Sequence, residues 1–102
     1  MLQVLEDQRR AISRACERHG VVRLDLFGSA LRDDFRQGDS DIDLLVEFQP
    51  MTPYDLVDAY FGLTEDLTEL LERPVDLVMR DAVKNPYIAR EIERSKRSLY
   101  AA

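Results

Sequence analysis

The sequence predicts an α/β (α+β) fold in which helices pack against a small mixed β-sheet of three to four strands. Short apolar runs with strand character occur at 21–27, 41–48 and 75–79. A leucine-rich segment at 54–72 has the three- and four-residue spacing of a helix, and helical and extended segments alternate along the chain. A length of 102 residues suits one core, so residues 1–102 are predicted to form a single domain.

The first helix is predicted over residues 2–18, where Ile12 and Cys16 recur on one face. Gly20 is placed to end this helix as a left-handed cap. Cys16 is the only cysteine of the chain, which excludes an internal disulfide and predicts a buried structural thiol. His19 is the only histidine, and its position favours contact with the last helical carbonyls over metal binding.

Two strands and a short helix are predicted next. The strand at 21–27 ends at Gly28, and Ser29 is placed to cap a short helix that runs to about Asp34. The strand at 41–48 alternates between apolar and polar residues, so every second side chain lies on the same face of the sheet.

The second half of the chain predicts a long helix, a third strand and a last helix. Gly62 lies inside the helix at 54–72 and indicates a close approach to the sheet. The third strand covers 75–79. The last helix is predicted from Asp81, as a possible N-cap, to about Arg97, and a short extended segment follows it.

Three aspartates in or beside strands predict a metal site. Asp41 and Asp43 are two residues apart, so their side chains share one face, with Cα atoms about 6.6 Å apart. Asp76 lies between Val75 and Leu77 and points away from their face, so it joins the pair if the two strands are neighbours. Converging carboxylates repel one another unless cations lie between them, and oxygen ligands favour Mg²⁺ or Ca²⁺. Such a site suits two metal ions in phosphoryl-type transfer.

Gly28 and Ser29 predict the phosphate end of the same site. A glycine at a strand end lets the backbone approach a ligand closely. A helix that begins at Ser29 would offer N–H groups to a phosphate, and Arg32 lies one turn further on, where it can add a charge-assisted contact.

Composition excludes several classes of protein. A formal net charge of −6 argues against direct binding of a nucleic-acid backbone, which requires a positive surface. The chain has no apolar run near the ~20 residues of a membrane span, so no membrane association is predicted. The charged N-terminus lacks a signal-peptide h-region, which together with the lone cysteine leads us to expect a cytoplasmic protein.

The combined motif resembles that of the DNA polymerase beta-like nucleotidyltransferase superfamily. The matching residues are "LFGSALR", a spacer of eleven residues from Ala30 to Ser40, "DSDIDLLV", and later "PVDLV". The short chain is most similar to the minimal nucleotidyltransferases, the MNT antitoxins that pair with HEPN toxins. The resemblance spans residues 21 to about 95.

The resemblance implies a role for each motif residue. Gly28 and Ser29 would hold the triphosphate of ATP. Asp41 and Asp43 would bind Mg²⁺, and Asp76 would help to bind metal and would deprotonate the acceptor hydroxyl.

Arg32 matches the arginine of the Gly-Ser-X-Ala-Arg-Gly pattern of this family. The sequence departs from the pattern at two positions, because Leu31 replaces the usual alanine and Asp33 the usual glycine.

Three functions are consistent with these patterns. The first is an Mg²⁺-dependent antitoxin enzyme that transfers AMP from ATP to a hydroxyl, with tyrosine expected, on a HEPN-type ribonuclease toxin. The second is an antitoxin that neutralises its toxin by binding alone. The third is a small-molecule nucleotidyltransferase of the antibiotic-modifying kind that acts with a helical partner.

Overall fold

The computed structural model describes residues 2–28 and 41–102. Within these residues the chain forms two helices, two strands, a long helix, a third strand, a fourth helix and a last strand. In chain order the elements are α1 (Leu2–Asp7), α2 (Arg9–Arg18), β1 (Val21–Phe27), β2 (Ile42–Phe48), α3 (Pro53–Leu71), β3 (Val75–Met79), α4 (Pro86–Ser95) and β4 (Arg97–Ala101). The predicted alternation of helices and strands is confirmed.

The strands form one mixed four-stranded sheet in the order β3-β2-β1-β4. β1 pairs antiparallel with both β2 and β4, whereas β2 and β3 are parallel. A parallel pair needs a long crossover between its strands, and α3 provides it. The predicted metal site required the second and third strands to be neighbours, and this condition is met.

The main core lies on the sheet face that α2 and α3 cover. It combines buried strand residues with the apolar faces of both helices, including Ile12, Cys16, Leu24, Leu26, Ile42, Leu44, Val46, Leu63, Leu67 and Leu77. Cys16 is fully buried in this core, which confirms the prediction of a buried thiol, and burial raises the pKa of the thiol to about 12.

The opposite face of the sheet carries a smaller buried cluster beneath α4. Leu45 and Ile92 are both buried there, outside the main core. They line a cavity of about 160 Å³.

Several predicted boundaries were wrong in detail. The helix predicted over 2–18 is interrupted at Gln8, whose backbone leaves the helical conformation (φ −98°, ψ 6°). The apolar spacing continues across this break, so the pattern alone does not reveal it. The strand predicted from residue 41 begins at Ile42.

The predicted cap of the last helix was also wrong. Asp81 lies in a single 3₁₀ turn, Arg80–Ala82. The N-cap of α4 is Asn85, whose side chain accepts hydrogen bonds from the N–H groups of Tyr87 and Ile88 at 2.9 and 3.3 Å. Asn85 also precedes a proline that suits the first helical position.

Two glycine predictions had different outcomes. Gly20 has a positive φ of +70°, as predicted for a left-handed cap. Gly62 approaches a side chain closely, but that side chain is the ring of His19 rather than a residue of the sheet. The His19 side chain was expected to contact the last helical carbonyls, but its imidazole Nε2 lies 2.7 Å from Asp66 Oδ2, and only the backbone N–H of His19 donates to a helical carbonyl, that of Ala15.

Candidate active site

The site begins where β1 ends against the carboxylate of Asp43. Gly28, the residue after β1, has a φ of +77°, a backbone conformation that residues with a side chain rarely adopt. A Cβ atom at this position would lie 2.2 Å from Asp43 Oδ2 and 3.0 Å from Asp43 Cγ. Glycine is therefore required here for two separate reasons, backbone conformation and space for the aspartate.

Asp43 and Asp76 are in register on adjacent strands. Their Cα atoms are partners in the parallel pair of β2 and β3, and Asp43 is also the partner of Phe27 in the antiparallel pair of β1 and β2. Paired strands lie about 4.8 Å apart, and paired side chains point to the same face. Asp76 is exposed while the next residue, Leu77, is buried in the core. The prediction that Asp76 points away from the core is confirmed.

Asp41 lies immediately before β2 and is exposed to solvent. The N–H of Ile42 donates a hydrogen bond of 3.0 Å to the carbonyl of Pro74. This bond connects the start of β2 to the residue before β3. The backbone segments that carry the three aspartates are therefore connected at the end of the sheet where β2 and β3 begin.

The arrangement fits metal-bound phosphate only in part. Within residues 2–28 and 41–102, the structure contains no group of three or more His, Cys, Asp or Glu side chains gathered closely enough to hold a metal ion. The available donors are nevertheless carboxylate oxygens, which Mg²⁺ prefers. Mg²⁺ sites commonly use one or two carboxylates together with substrate phosphates, so a ready-made three-ligand group is not required.

Two of the predicted nucleotide-binding residues lie outside the described residues. These are Ser29 and Arg32, together with the short helix predicted to begin at Ser29. Gly28, which directly precedes them, is the part of this motif that the structure describes.

Sequence reasoning missed a buried carboxylate on the same face of the sheet. Asp25 precedes Phe27 by two residues in β1, and its exposed fraction is 2%. Its Oδ2 lies 3.5 Å from Lys96 Nζ, but this oxygen accepts no hydrogen bond from any residue that the structure describes. An aspartate inside the apolar run "LDLF" was the available signal, since an uncompensated carboxylate there would be costly.

Lys96 connects this carboxylate to the end of α4. Its Nζ also lies 3.0 Å from Glu93, and that hydrogen bond lowers the pKa of Glu93, with a further contribution from the positive charge of Arg80. Arg80 itself forms an ion pair with Glu93. The network fixes α4 over the sheet face that also carries Asp43 and Asp76.

Comparisons with known proteins agree on one family. The protein family described as "Nucleotidyltransferase domain" matches this chain over residues 9–99. The chain is 42% identical over 77 residues to a Methanocaldococcus jannaschii protein named "Putative protein adenylyltransferase MJ0128", which covers 76% of this chain and 74% of the relative. A second protein of the same name and organism, numbered MJ0126, is 30% identical over 92 residues, with 89% of each chain covered.

Solved structures show the same architecture. A structure described as a "putative minimal nucleotidyltransferase" is 33% identical, with a TM-score of 0.77, and covers 94% of this chain and 93% of its own. A complex of the tri-AMPylated Shewanella oneidensis HEPN toxin with its MNT antitoxin gives a TM-score of 0.64 at 18% identity, covering 96% of this chain and 73% of that one. At this identity the second likeness concerns the fold alone. Within the described residues, no helix is long and apolar enough to cross a membrane.

Proposed function

The chain belongs to the nucleotidyltransferase domain family and is a nucleotidyltransferase, and from that premise we propose that it transfers AMP from ATP to a tyrosine hydroxyl of a HEPN-type toxin. The observation that carries this proposal is the register of Asp43 with Asp76, with Gly28 packed directly against Asp43. In support of the proposal, the Asp43 carboxylate lies against Gly28, and Asp76 stands in register with Asp43 on the adjacent strand.

The reaction is a displacement at the α-phosphorus of ATP. The acceptor hydroxyl oxygen forms a bond to this phosphorus, the bond to the bridging oxygen breaks, and pyrophosphate leaves. The hydroxyl proton passes to a carboxylate, which we assign to Asp76 because its side chain is exposed at the edge of the site. A base must lie within hydrogen-bonding reach of the proton that it accepts, and an exposed position suits an acceptor that arrives on another protein.

The remaining motif residues would hold the nucleotide. Asp41, Asp43 and Asp76 supply oxygen ligands for Mg²⁺, of which we propose two ions. When bound, Mg²⁺ would stabilise the charge of the attacking and leaving oxygens. Gly28, Ser29 and Arg32 hold the triphosphate, and Gly28 keeps the space beside Asp43 free of a side chain.

The relatives and the charge of the chain support a protein as the acceptor. Two relatives carry names that denote transfer of an adenylyl group to protein, and a structural neighbour is an antitoxin bound to an AMPylated HEPN toxin. The formal net charge of −6 suits contact with a basic, RNA-binding surface. Both observations support modification of a protein over transfer to a small molecule.

Intact-mass measurement tests this proposal. The purified protein is incubated with Mg²⁺-ATP and the product of its neighbouring gene, and both chains are then weighed. We expect the partner to gain the mass of AMP. Asp43→Asn serves as the control, because it removes one charge from the site with little change of volume, and it should abolish the gain without dissociating the complex.

The other outcomes distinguish the alternative functions. A stable complex with no mass gain on either chain, and full neutralisation by Asp43→Asn, would show that binding alone inhibits the toxin. Transfer of label to a drug-like hydroxyl compound without a protein partner would instead indicate a small-molecule transferase.

A further inference from the structure

The outward side of α3 carries three large apolar side chains in contact with solvent. Tyr54, Val57 and Phe61 are 86%, 53% and 64% exposed. Their spacing of three and four residues aligns them on one side of the helix. We call these three residues the α3 stripe.

Packing within the domain does not account for the α3 stripe. The opposite side of α3 is the one that enters the core, through Leu63 and Leu67. The Phe61 ring makes an edge contact with the ring of Tyr60 at a centroid distance of 5.4 Å. The Tyr60 hydroxyl in turn donates a hydrogen bond of 2.6 Å to the carbonyl of Leu77. The stripe is therefore an exposed apolar surface, of which Phe61 adjoins the partly buried Tyr60.

Acidic side chains border the α3 stripe. Asp55, Asp58, Glu65 and Glu69 are exposed, and none of them forms an ion pair with another described residue. Residues 53–72 contain no Lys, Arg or His. An apolar centre with a charged rim is the usual composition of a protein–protein interface.

We propose that the α3 stripe docks a protein partner whose surface has an apolar groove rimmed by Lys and Arg. Charge complementarity selects this occupant. A second copy of the same chain, docked through the same surface, would place two acidic helices against each other, and close like charges repel. The inference rests on the proposed function in one respect, because the partner is taken to be the protein that is modified.

The α3 stripe is separate from the candidate active site. α3 ends at Leu71, shortly before β3 and Asp76. α3 covers the core face of the sheet, where Leu77 is buried, whereas Asp76 is exposed on the other face, so the sheet lies between the stripe and the carboxylates. A partner held there leaves the carboxylates accessible, so the stripe acts as an anchor and the acceptor hydroxyl reaches the site from a different part of the partner.

The first test measures the affinity for the purified product of the neighbouring gene. The double variant Val57→Ser/Phe61→Ser keeps the helix and removes the apolar centre of the surface. We expect the dissociation constant to rise by about 30-fold or more, because central aromatic residues dominate such interfaces. Tyr87→Ser is the matched control, since Tyr87 is 80% exposed on α4, and it should bind like the unmodified protein. Thermal melts confirm that each variant is folded.

A second test measures the contribution of the acidic rim. Asp58→Lys should lower the association rate about tenfold at low ionic strength, and the effect should shrink as salt screens the charges. Glu91→Lys changes the net charge equally from a position on α4, where the Glu91 side chain is 71% exposed. It should have a much smaller effect on the rate.

The outcomes separate this inference from the proposed function. If Val57→Ser/Phe61→Ser binds as tightly as the unmodified protein, or if Tyr87→Ser weakens binding equally, the assignment of the α3 stripe is wrong, while AMP transfer would still support the proposed function. If the partner-free protein is a dimer that the double variant converts to a monomer, the stripe is a self-association surface and the inference fails. If Asp43→Asn still transfers AMP, the proposed site fails instead.

Discussion

Gly28 combines two constraints that are usually met separately. Its positive φ disfavours any side chain, and the space where a Cβ would stand is occupied by the Asp43 carboxylate. The sequence predicted a close approach at this glycine but assigned it to a ligand. The structure shows that a neighbouring aspartate already makes such an approach, a contact across β1 and β2 that no local pattern contains.

Gly28→Ala should therefore lose both stability and activity. We expect a loss of about 1–3 kcal/mol in the free energy of unfolding from the strained backbone. AMP transfer should fall by about 100-fold or more, because displacement of a reacting group by about 1 Å has an effect of this size. Urea unfolding and the intact-mass assay measure the two effects.

Gly20→Ala is the control for backbone strain alone. Gly20 also has a positive φ, +70°, but an added Cβ would lie 3.2 Å from Met51 Cε, the movable end of a flexible side chain. It should lose stability by a similar amount and retain transfer when assayed below its melting temperature. Equal losses of activity in the two variants would mean that the contact between Gly28 and Asp43 has no specific role.

At the scale of elements, α3 was the best predicted and still held a feature that sequence did not specify. Its apolar spacing gave the buried side correctly, because burial of a helix follows the period of its own residues. The need for a glycine at position 62 arises instead from a residue at the end of α2. His19, which follows α2, places its ring where a Cβ at Gly62 would lie 2.6 Å from His19 Cε1.

Gly62→Ala should accordingly fail to stabilise the helix. An alanine in a helix interior is normally favoured over glycine by about 1 kcal/mol. Here it would displace the His19 ring and disrupt the hydrogen bond to Asp66, which also pairs with Arg18 at 2.8 Å. We expect no gain, or a net loss, in the free energy of unfolding.

A double-mutant cycle isolates this contact. In a His19→Ala background the clash is absent, so Gly62→Ala should then stabilise the protein by about 0.5–1 kcal/mol. Urea unfolding of the four proteins at pH 7 gives the coupling energy. The same gain in both backgrounds would show that the ring of His19 does not constrain Gly62.

At the scale of the molecule, one face of the sheet forms the main hydrophobic core, and the other carries the carboxylates of the candidate active site. The face beneath α2 and α3 follows from the hydrophobic alternation of the strands, and for this reason the fold class could be predicted. The sequence left open whether β2 and β3 are neighbours. The other face mixes Asp25, Asp43 and Asp76 with apolar residues. Its polar groups are compensated by partners distant in sequence, such as Lys96 for Asp25, and such pairs have no periodic signal.

A bound nucleotide should stabilise the whole domain. The carboxylates around β2 and β3 repel one another, and the chain as a whole has a formal net charge of −6. A ligand that binds only the folded state at 100 times its dissociation constant adds about 2.7 kcal/mol of stability. For a domain of this size that corresponds to a rise in melting temperature on the order of 10 °C.

Thermal melts with millimolar Mg²⁺-ATP measure this shift, and three controls show whether it comes from binding at the candidate site. Mg²⁺ alone reports general neutralisation of negative charge, ATP with a chelator reports binding without metal, and Asp43→Asn reports dependence on the site. We expect a large shift only for Mg²⁺-ATP with the unmodified protein, because the carboxylates and the triphosphate each supply ligands that the metal needs. An equal shift in Asp43→Asn would place the nucleotide elsewhere, and no shift would mean that the three aspartates do not form a competent site without the partner.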